Sequence, residues 1–426
     1  MVWGSALAGA ALAACGQEGA PASPAAQSRQ PATIGWFKYF TAQNEQQLPE
    51  FLAEFKAAAP HITVDRIARA GSAIEAMQKL TGLVAAGTPP DLYSHQSSAY
   101  GMVSQGLAEP LDDLIQRDKF DTKRFTQLLF EIGCRWQGKT YGLPYANQAE
   151  AVAMIYHRGL LRAAGVPEPP EKWGDPQWTW QAFTEAAKRV HKMGADGNTA
   201  VHGVNRLGYY MFFPRMWDAA WITEDYKTIT ADKPEVIEAY RAYFDLDQKH
   251  RVWPRPEERT DFRQQNVAFS VLGAWELREY GALADLDWAF APFPKGKVSS
   301  PQAYVLDQKI VKGSKNREPA WTFTRWLTEK SPLAFFEGRP PALREDVGRW
   351  ASTIFKDKPT ARAGVVSEGM NVATTPELIW FHPRWAAEMS KTVEDDFWKP
   401  VGAGQKTVDA ALKEIKPRLQ QVVGSS

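Results

Sequence analysis

The sequence predicts an α/β protein built as two lobes, and three observations carry that expectation. The chain has 426 residues, too many for one compact core at roughly 100–200 residues per domain. Hydrophobic residues are 44% and charged residues 23%, the balance of a globular protein. Short β-rich runs alternate with helical periodicity along most of the length.

The elements follow in order. Ala32 to Phe40 (ATIGWFKYF) is β-rich. Leu48, Phe51, Leu52 and Phe55 stand at i, i+3, i+4, i+7 and mark one apolar helix face. His61 to Val64 reads as a strand. Met77, Leu80, Thr81 and Val84 mark a helix stopped by Gly87 and Pro89-Pro90, residues that end helices. Asp91 to Ser94 is the next strand, and this alternation argues for parallel strands under helices. Further on, Ala151–Tyr156, Val267–Val271 and Ala289–Pro292 read as strands. Gln181–Met193, Pro234–His250 and Glu318–Glu329 read as helices. Val408, Ala411, Leu412, Ile415 and Leu419 make the cleanest amphipathic helix. No solenoid repeat is present.

Composition excludes several functions. Lys and Arg number 50 against 49 Asp and Glu, for a net charge of +1. No basic run offers a nucleic-acid footprint. Beyond Cys15 no apolar run reaches the roughly 18 residues a bilayer span needs. Of the two cysteines, Cys134 is left unpaired once Cys15 is assigned to lipidation, so no disulfide framework is expected. No G-x-G-x-x-G, P-loop, H-E-x-x-H or G-x-S-x-G pattern occurs, and no cofactor or metal is expected. Asp245 with Asp247 and Asp285 with Asp287 lack the calcium-loop pattern and read as solvated helix ends or turns. No catalytic residue is expected.

The N-terminus reads as an address. Val2 to Ala14 is small and apolar and ends Leu12-Ala13-Ala14-Cys15-Gly16, suited to an export signal. The pattern resembles the bacterial lipoprotein box. It implies a signal peptide over 1–14, a lipid on Cys15, and membrane attachment outside the cytoplasm. Gln17 to Gln30, rich in Ala, Pro, Ser and Gln, reads as a flexible tether, so residues 15–31 are expected to be a lipidated leash.

Several ordered segments carry a wider resemblance. They are Leu83 to Tyr93 (LVAAGTPPDLY), Gln105 to Leu111 (QGLAEPL), Lys139 to Tyr145 (KTYGLPY) and Ile155 to Arg158. Ala163 to Pro167, Ala268 to Trp275 (AFSVLGAW) and Gly313 to Trp321 (GSKNREPAW) complete the set. Together they resemble the extracellular solute-binding proteins of ABC transporters, in the carbohydrate-binding group that includes maltose-binding protein. Two departures stand out: Ser299-Ser300-Pro301-Gln302 replaces a Gly-Gly before the strand near residue 305, and His95-Gln96-Ser97-Ser98 replaces acidic and Arg residues.

The resemblance implies a type II periplasmic-binding-protein fold with two lobes. Each would be a mainly parallel sheet flanked by helices, with hinge crossings near 145–150, 298–305 and 355–362. Lobe 1 would hold 32–148 and 304–357, and lobe 2 would hold 149–303 and 358–426. The implied partners are a carbohydrate ligand and ABC permease subunits, with the protein acting as a monomer. The alternatives are a polyol or phosphodiester binder, a secreted carbohydrate-active enzyme, or a sensory lipoprotein without transport.

A sugar presents C–H faces to aromatic rings and hydroxyls to fixed polar groups. Such groups belong beyond strand C-termini. Trp275, after a strand and a Gly, matches the family's aromatic platform. Trp380 and Arg384, four residues apart, would share a helix face. Glu150 matches a family carboxylate, and Tyr209 or Tyr210 a family aromatic. Trp217 reads as platform or core. Lys38 and Gln43, and His95 with Gln96, follow strands as candidate polar contacts. Tyr145 and Asn147 stand at a crossover and read as ligand contacts or hinge residues. Trp136, Trp173, Trp178, Trp180, Trp321 and Trp326 are expected to pack.

Overall fold

The structure is a computed structural model. It describes residues 30–68, 73–96, 102–148, 153–195, 197–205, 207, 210–223, 227–255, 258, 260–274, 276–283, 285–301, 303–372 and 386–424.

Among these residues twelve strands follow in chain order. They are β1 (Ala32–Lys38), β2 (Ile62–Ala68), β3 (Leu92–Gln96), β4 (Arg135–Trp136), β5 (Lys139–Thr140) and β6 (Leu143–Gln148). Then come β7 (Ala153–His157), β8 (Lys192–Met193), β9 (Thr199–Val204), β10 (Val267–Leu272), β11 (Trp288–Ala291) and β12 (Tyr304–Ile310). One five-stranded sheet has the order β2-β1-β3-β12-β6, a second has β11-β7-β10-β9-β8, and β4 with β5 forms a small hairpin.

Both large sheets are mixed. β1 runs parallel to β2 and β3, as the strand–helix alternation predicts, but β12 is antiparallel to both β3 and β6. In the second sheet only β9 and β10 are parallel. Parallel pairing as expected therefore holds for β1–β3 and for the β9–β10 pair, and both sheets are mixed. Strands that enter a sheet from the other sheet, rather than through a βαβ crossover, are free to run antiparallel.

The first sheet is covered on both faces. Ile34, Trp36 and Leu92 point into a core shared with Phe51 and Phe55 of the helix Ala42–Ala58 and Phe323 of the helix Arg317–Thr328. Trp36 meets Phe323 edge-on at 5.0 Å. Phe37 and Tyr93, one residue along each strand, face the other way toward Ala76 and Leu80 of the helix Ala73–Ala85. Thr41 caps the helix Ala42–Ala58 by accepting from Asn44 N at 3.3 Å, the role Thr commonly plays there. Gly87, at φ +74°, supplies the left-handed turn beyond the helix Ala73–Ala85.

The second sheet carries Met154, Tyr156, Ala268 and Phe269 into a core with the helices Trp180–Val190, Pro234–Gln248 and Val408–Gly424. The C-terminal helix buries Val408, Ala411, Leu412, Ile415 and Leu419, the face its sequence predicts. The helix expected to reach Met193 stops at Val190. Lys192 and Met193 instead pair with Val201 and Thr199. Trp178, Trp180 and Trp321 are buried, and Trp173 donates to Val365 O at 2.8 Å. These tryptophans pack as expected. Cys134 is a free, fully buried thiol.

Candidate functional site

Register decides which strand ends share an edge in each sheet. In the first sheet Lys38 pairs with Ser94, Gln96 with Leu306, and Tyr304 with Gln148. The C-terminal ends of β1, β3 and β6 and the start of β12 therefore share one edge. In the second sheet Phe269 pairs with Val204, Leu272 with Ala153, and Ala291 with Met154. The ends of β9, β10 and β11 and the start of β7 share one edge as well. The chain leaves the first edge after Gln148 and enters the second at Ala153. It leaves the second after Ala291 and returns at Tyr304. Two crossings thus join these two edges, where open α/β sheets present their ligand groups.

At the first edge stands a buried charged cluster. Lys38 Nζ donates to Tyr145 Oη at 2.7 Å and pairs with Glu337 Oε1 at 2.8 Å. Tyr145 Oη donates to Glu337 Oε2 at 3.2 Å, which also accepts from Arg339 Nε at 2.9 Å. The Lys38 ammonium lies 4.8 Å from the Tyr145 ring centroid and 5.0 Å from that of Phe40. Burial pushes the Glu337 carboxyl up. The charges on Lys38 and Arg339, with hydrogen bonds from Lys38 and Tyr145, outweigh it and hold the group below the usual glutamate range. Burial, aided by Glu337, pushes the Tyr145 phenol well up, so it stays a donor.

Asn147 fixes the segment that carries Arg339. Its backbone N donates to Pro340 O at 2.7 Å and its Nδ2 to Pro341 O at 2.9 Å. Ala146 and Pro341 form an antiparallel bridge. Two prolines have no amide to donate, which suits an outer position beside β6.

The second edge is also polar. Gly273 N, just after β10, donates to Glu276 Oε2 at 2.8 Å, and burial pushes that carboxyl up. Asn205, just after β9, donates from its backbone to Phe269 O at 2.8 Å and accepts from Thr260 Oγ1 at 2.9 Å. Among the described residues no group of three His, Cys, Asp or Glu is arranged to hold a metal ion.

The sequence-predicted residues fare unequally. Lys38, Tyr145 and Asn147 come together at the first edge, yet each is buried, at 4%, 1% and 2% exposure. Lys38 was expected as a contact open to ligand; its ammonium is instead engaged by Tyr145 and Glu337. Gln43 is exposed in the first turn of the helix Ala42–Ala58. Trp217 is corrected to core. It is 5% exposed, with Phe213 at 5.2 Å and Trp180 at 5.9 Å on its ring. His95 and Gln96 end β3 and Tyr210 opens a 3-10 turn, but their side chains lie outside the description. Glu150, Tyr209, Trp275, Trp380, Arg384 and Cys15 lie outside the described residues. Glu337 escaped sequence reasoning. Its signal was the Glu337-Gly338-Arg339-Pro340-Pro341 run, an acid closing an otherwise apolar helix, Pro332–Glu337, just before a left-handed Gly338.

Residues 50–345 match the family described as bacterial extracellular solute-binding protein. The chain belongs to this family.

Among its curated relatives, this solute-binding protein is 26% identical over 326 residues to the maltotriose-binding protein of Pyrococcus abyssi. That match takes in 71% of the chain and 65% of the length of the relative. Among solved structures it is similar to an ABC substrate-binding protein from Listeria monocytogenes in complex with cycloalternan. The TM-score is 0.74 at 20% identity, covering 93% of this chain and 100% of the other. UgpB from Mycobacterium tuberculosis in complex with glycerophosphocholine is similar too, with a TM-score of 0.75 at 19% identity over 92% and 99%. At these identities the structural likeness shows the two-lobed fold alone.

Proposed function

We propose that this solute-binding protein captures a sugar or oligosaccharide between its lobes and hands it to the permease of an ABC importer. The observation that supports it most is the pairing of two polar sheet edges joined by two crossings. In a chain of this family, such a gap can hold a ligand against both lobes at once. The relative named for maltotriose favours a saccharide. The lobes run over 32–148 with 304–357 and over 149–303 with 358–426. Trp275 and Trp380 supply stacking faces, and Glu150 and Arg384 bond hydroxyls, as in the family's sugar sites. The protein performs no chemistry. It works outside the cytoplasm, as a monomer held to the membrane by a lipid on Cys15.

Calorimetric titration against maltotriose, other maltodextrins and glycerophosphocholine tests the ligand class. The expected result is a saccharide Kd near micromolar, about 8 kcal/mol of binding free energy. No heat from any saccharide at millimolar concentration overturns the sugar. A response to glycerophosphocholine alone transfers the site to phosphodiesters. Radiolabelled palmitate incorporation that survives Cys15→Ser would take the lipid away from Cys15, and none in the wild type would remove the anchor.

A further inference from the structure

The β8–β9 hairpin, at the far edge of the second sheet, carries side chains that the solute-binding reading leaves unused. Lys192 pairs with Val201, but Met193 pairs with Thr199, so the register shifts by one residue between them. A bulge of this kind changes which residues share a face. Continuing the pairing outward from Lys192–Val201 sets His191 across from His202, on the face that also takes Met193 and Thr199. The contacts agree. The His191 and His202 rings stand 5.9 Å apart, and Thr199 Oγ1 approaches Met193 Sδ at 3.8 Å.

The groups grade from buried to open. His202 is 3% exposed and His191 partly buried, whereas Met193 is 52% exposed. Both Nδ1 atoms are buried with no hydrogen-bond partner among the described residues, which is costly unless something else occupies them. Burial pushes both imidazoles down, against the opposite pull of Glu258 on each and of a backbone hydrogen bond with Trp253 on His202. Glu258 Oε2 lies 3.8 Å from the opposite nitrogen of His202, Nε2, and accepts from Arg255 N at 2.6 Å. A carboxylate on that side favours the proton on Nε2 and leaves Nδ1 as the donor atom.

We propose that His191, His202 and Met193 form a binding site for a soft metal ion, monovalent copper, on the outer hairpin of the second lobe. Two imidazole nitrogens and a thioether are a copper set, because the polarizable sulfur favours Cu+ over the harder divalent ions. A centroid separation of 5.9 Å lets one ion about 2 Å from a nitrogen of each ring bridge the pair. Exposed Met193 gives the ion its way in. The site is separate from the sheet edges that face the ligand gap.

The test is competition for Cu+ between the full chain and a chromogenic chelator under reducing conditions. The wild type is expected to take up one equivalent. Met193→Leu and His191→Asn, at positions that are not fully buried, should each weaken it at least tenfold while circular dichroism stays unchanged. The buried Cys134 thiol remains in every variant, so uptake unaffected by both substitutions places copper elsewhere and overturns the proposal. Absence of uptake by the wild type overturns it directly, and tighter binding of Zn2+ than of Cu+ removes the thioether's part.

Discussion

Glu337 and Asp307 are both buried carboxylates of the first lobe, and their surroundings push them in opposite directions. Asp307, 1% exposed, has Lys309 and the Cys134 thiol beside it. Burial outweighs Lys309, and its carboxyl is pushed up. Glu337 has two cations and a phenol donor, and they outweigh burial. Glu337→Gln would leave Lys38 and Arg339 facing one another without a counter-charge. Breaking a buried pair in this way costs about 3–5 kcal/mol, to be read from urea unfolding at pH 7. The pH dependence has a defined sign. A carboxyl held below its unfolded value of about 4.5 stabilises the fold above that pH. The contribution is lost as pH falls through the lower folded value. The wild type should therefore lose urea resistance below about pH 4.5 more steeply than Glu337→Gln does. Parallel acid limbs would mean that the fold does not hold the Glu337 carboxyl below its ordinary range.

Close approach of elements rests on a few residues without a side chain. A Cβ on Gly203 in β9 would lie 2.3 Å from Ala187 O of the helix Trp180–Val190, so the backbone would have to move. Gly203→Ala is expected to cost about 1–3 kcal/mol, seen as a lower thermal midpoint, whereas Gly159→Ala, which meets nothing within 4 Å, should be near neutral. Element type was legible wherever one face is apolar. β1 to β3, the helix Ala42–Ala58 and the helix Val408–Gly424 all show their period in the sequence. Where polar residues satisfy one another inside the protein, the pattern fails. β12 reads Tyr-Val-Leu-Asp-Gln-Lys-Ile, yet all seven residues are buried, because Lys309 pairs with Asp307 and Gln308 accepts from Ser94 at 3.2 Å. β8 is two residues long, too short for any period. Site residues divide in the same way. Sequence order brought Lys38, Tyr145 and Asn147 to one sheet edge, but not the partner at Glu337, 192 residues from Tyr145. Trp217 shows how little a lone aromatic says, since the same ring serves a core as well as a sugar platform.

For the whole molecule, the crossings after Gln148 and after Ala291, with a third near residue 357 in the proposed lobe division, join the lobes covalently. A ligand touching both edges gains contacts as the gap narrows, and only that difference in affinity can drive closure. Shifting a population from 1:99 to 99:1 takes about 5.5 kcal/mol, within the roughly 8 kcal/mol of a micromolar ligand. Saturating saccharide is therefore expected to lower the radius of gyration measured by small-angle X-ray scattering. Trp275→Ala should weaken binding at least tenfold, about 1.4 kcal/mol, and still contract once saturated, because a stacking face contributes affinity and the crossings supply the motion. Calorimetric saturation without contraction would leave binding intact and remove closure. Contraction with unaltered affinity in Trp275→Ala would keep closure and take the platform away from Trp275.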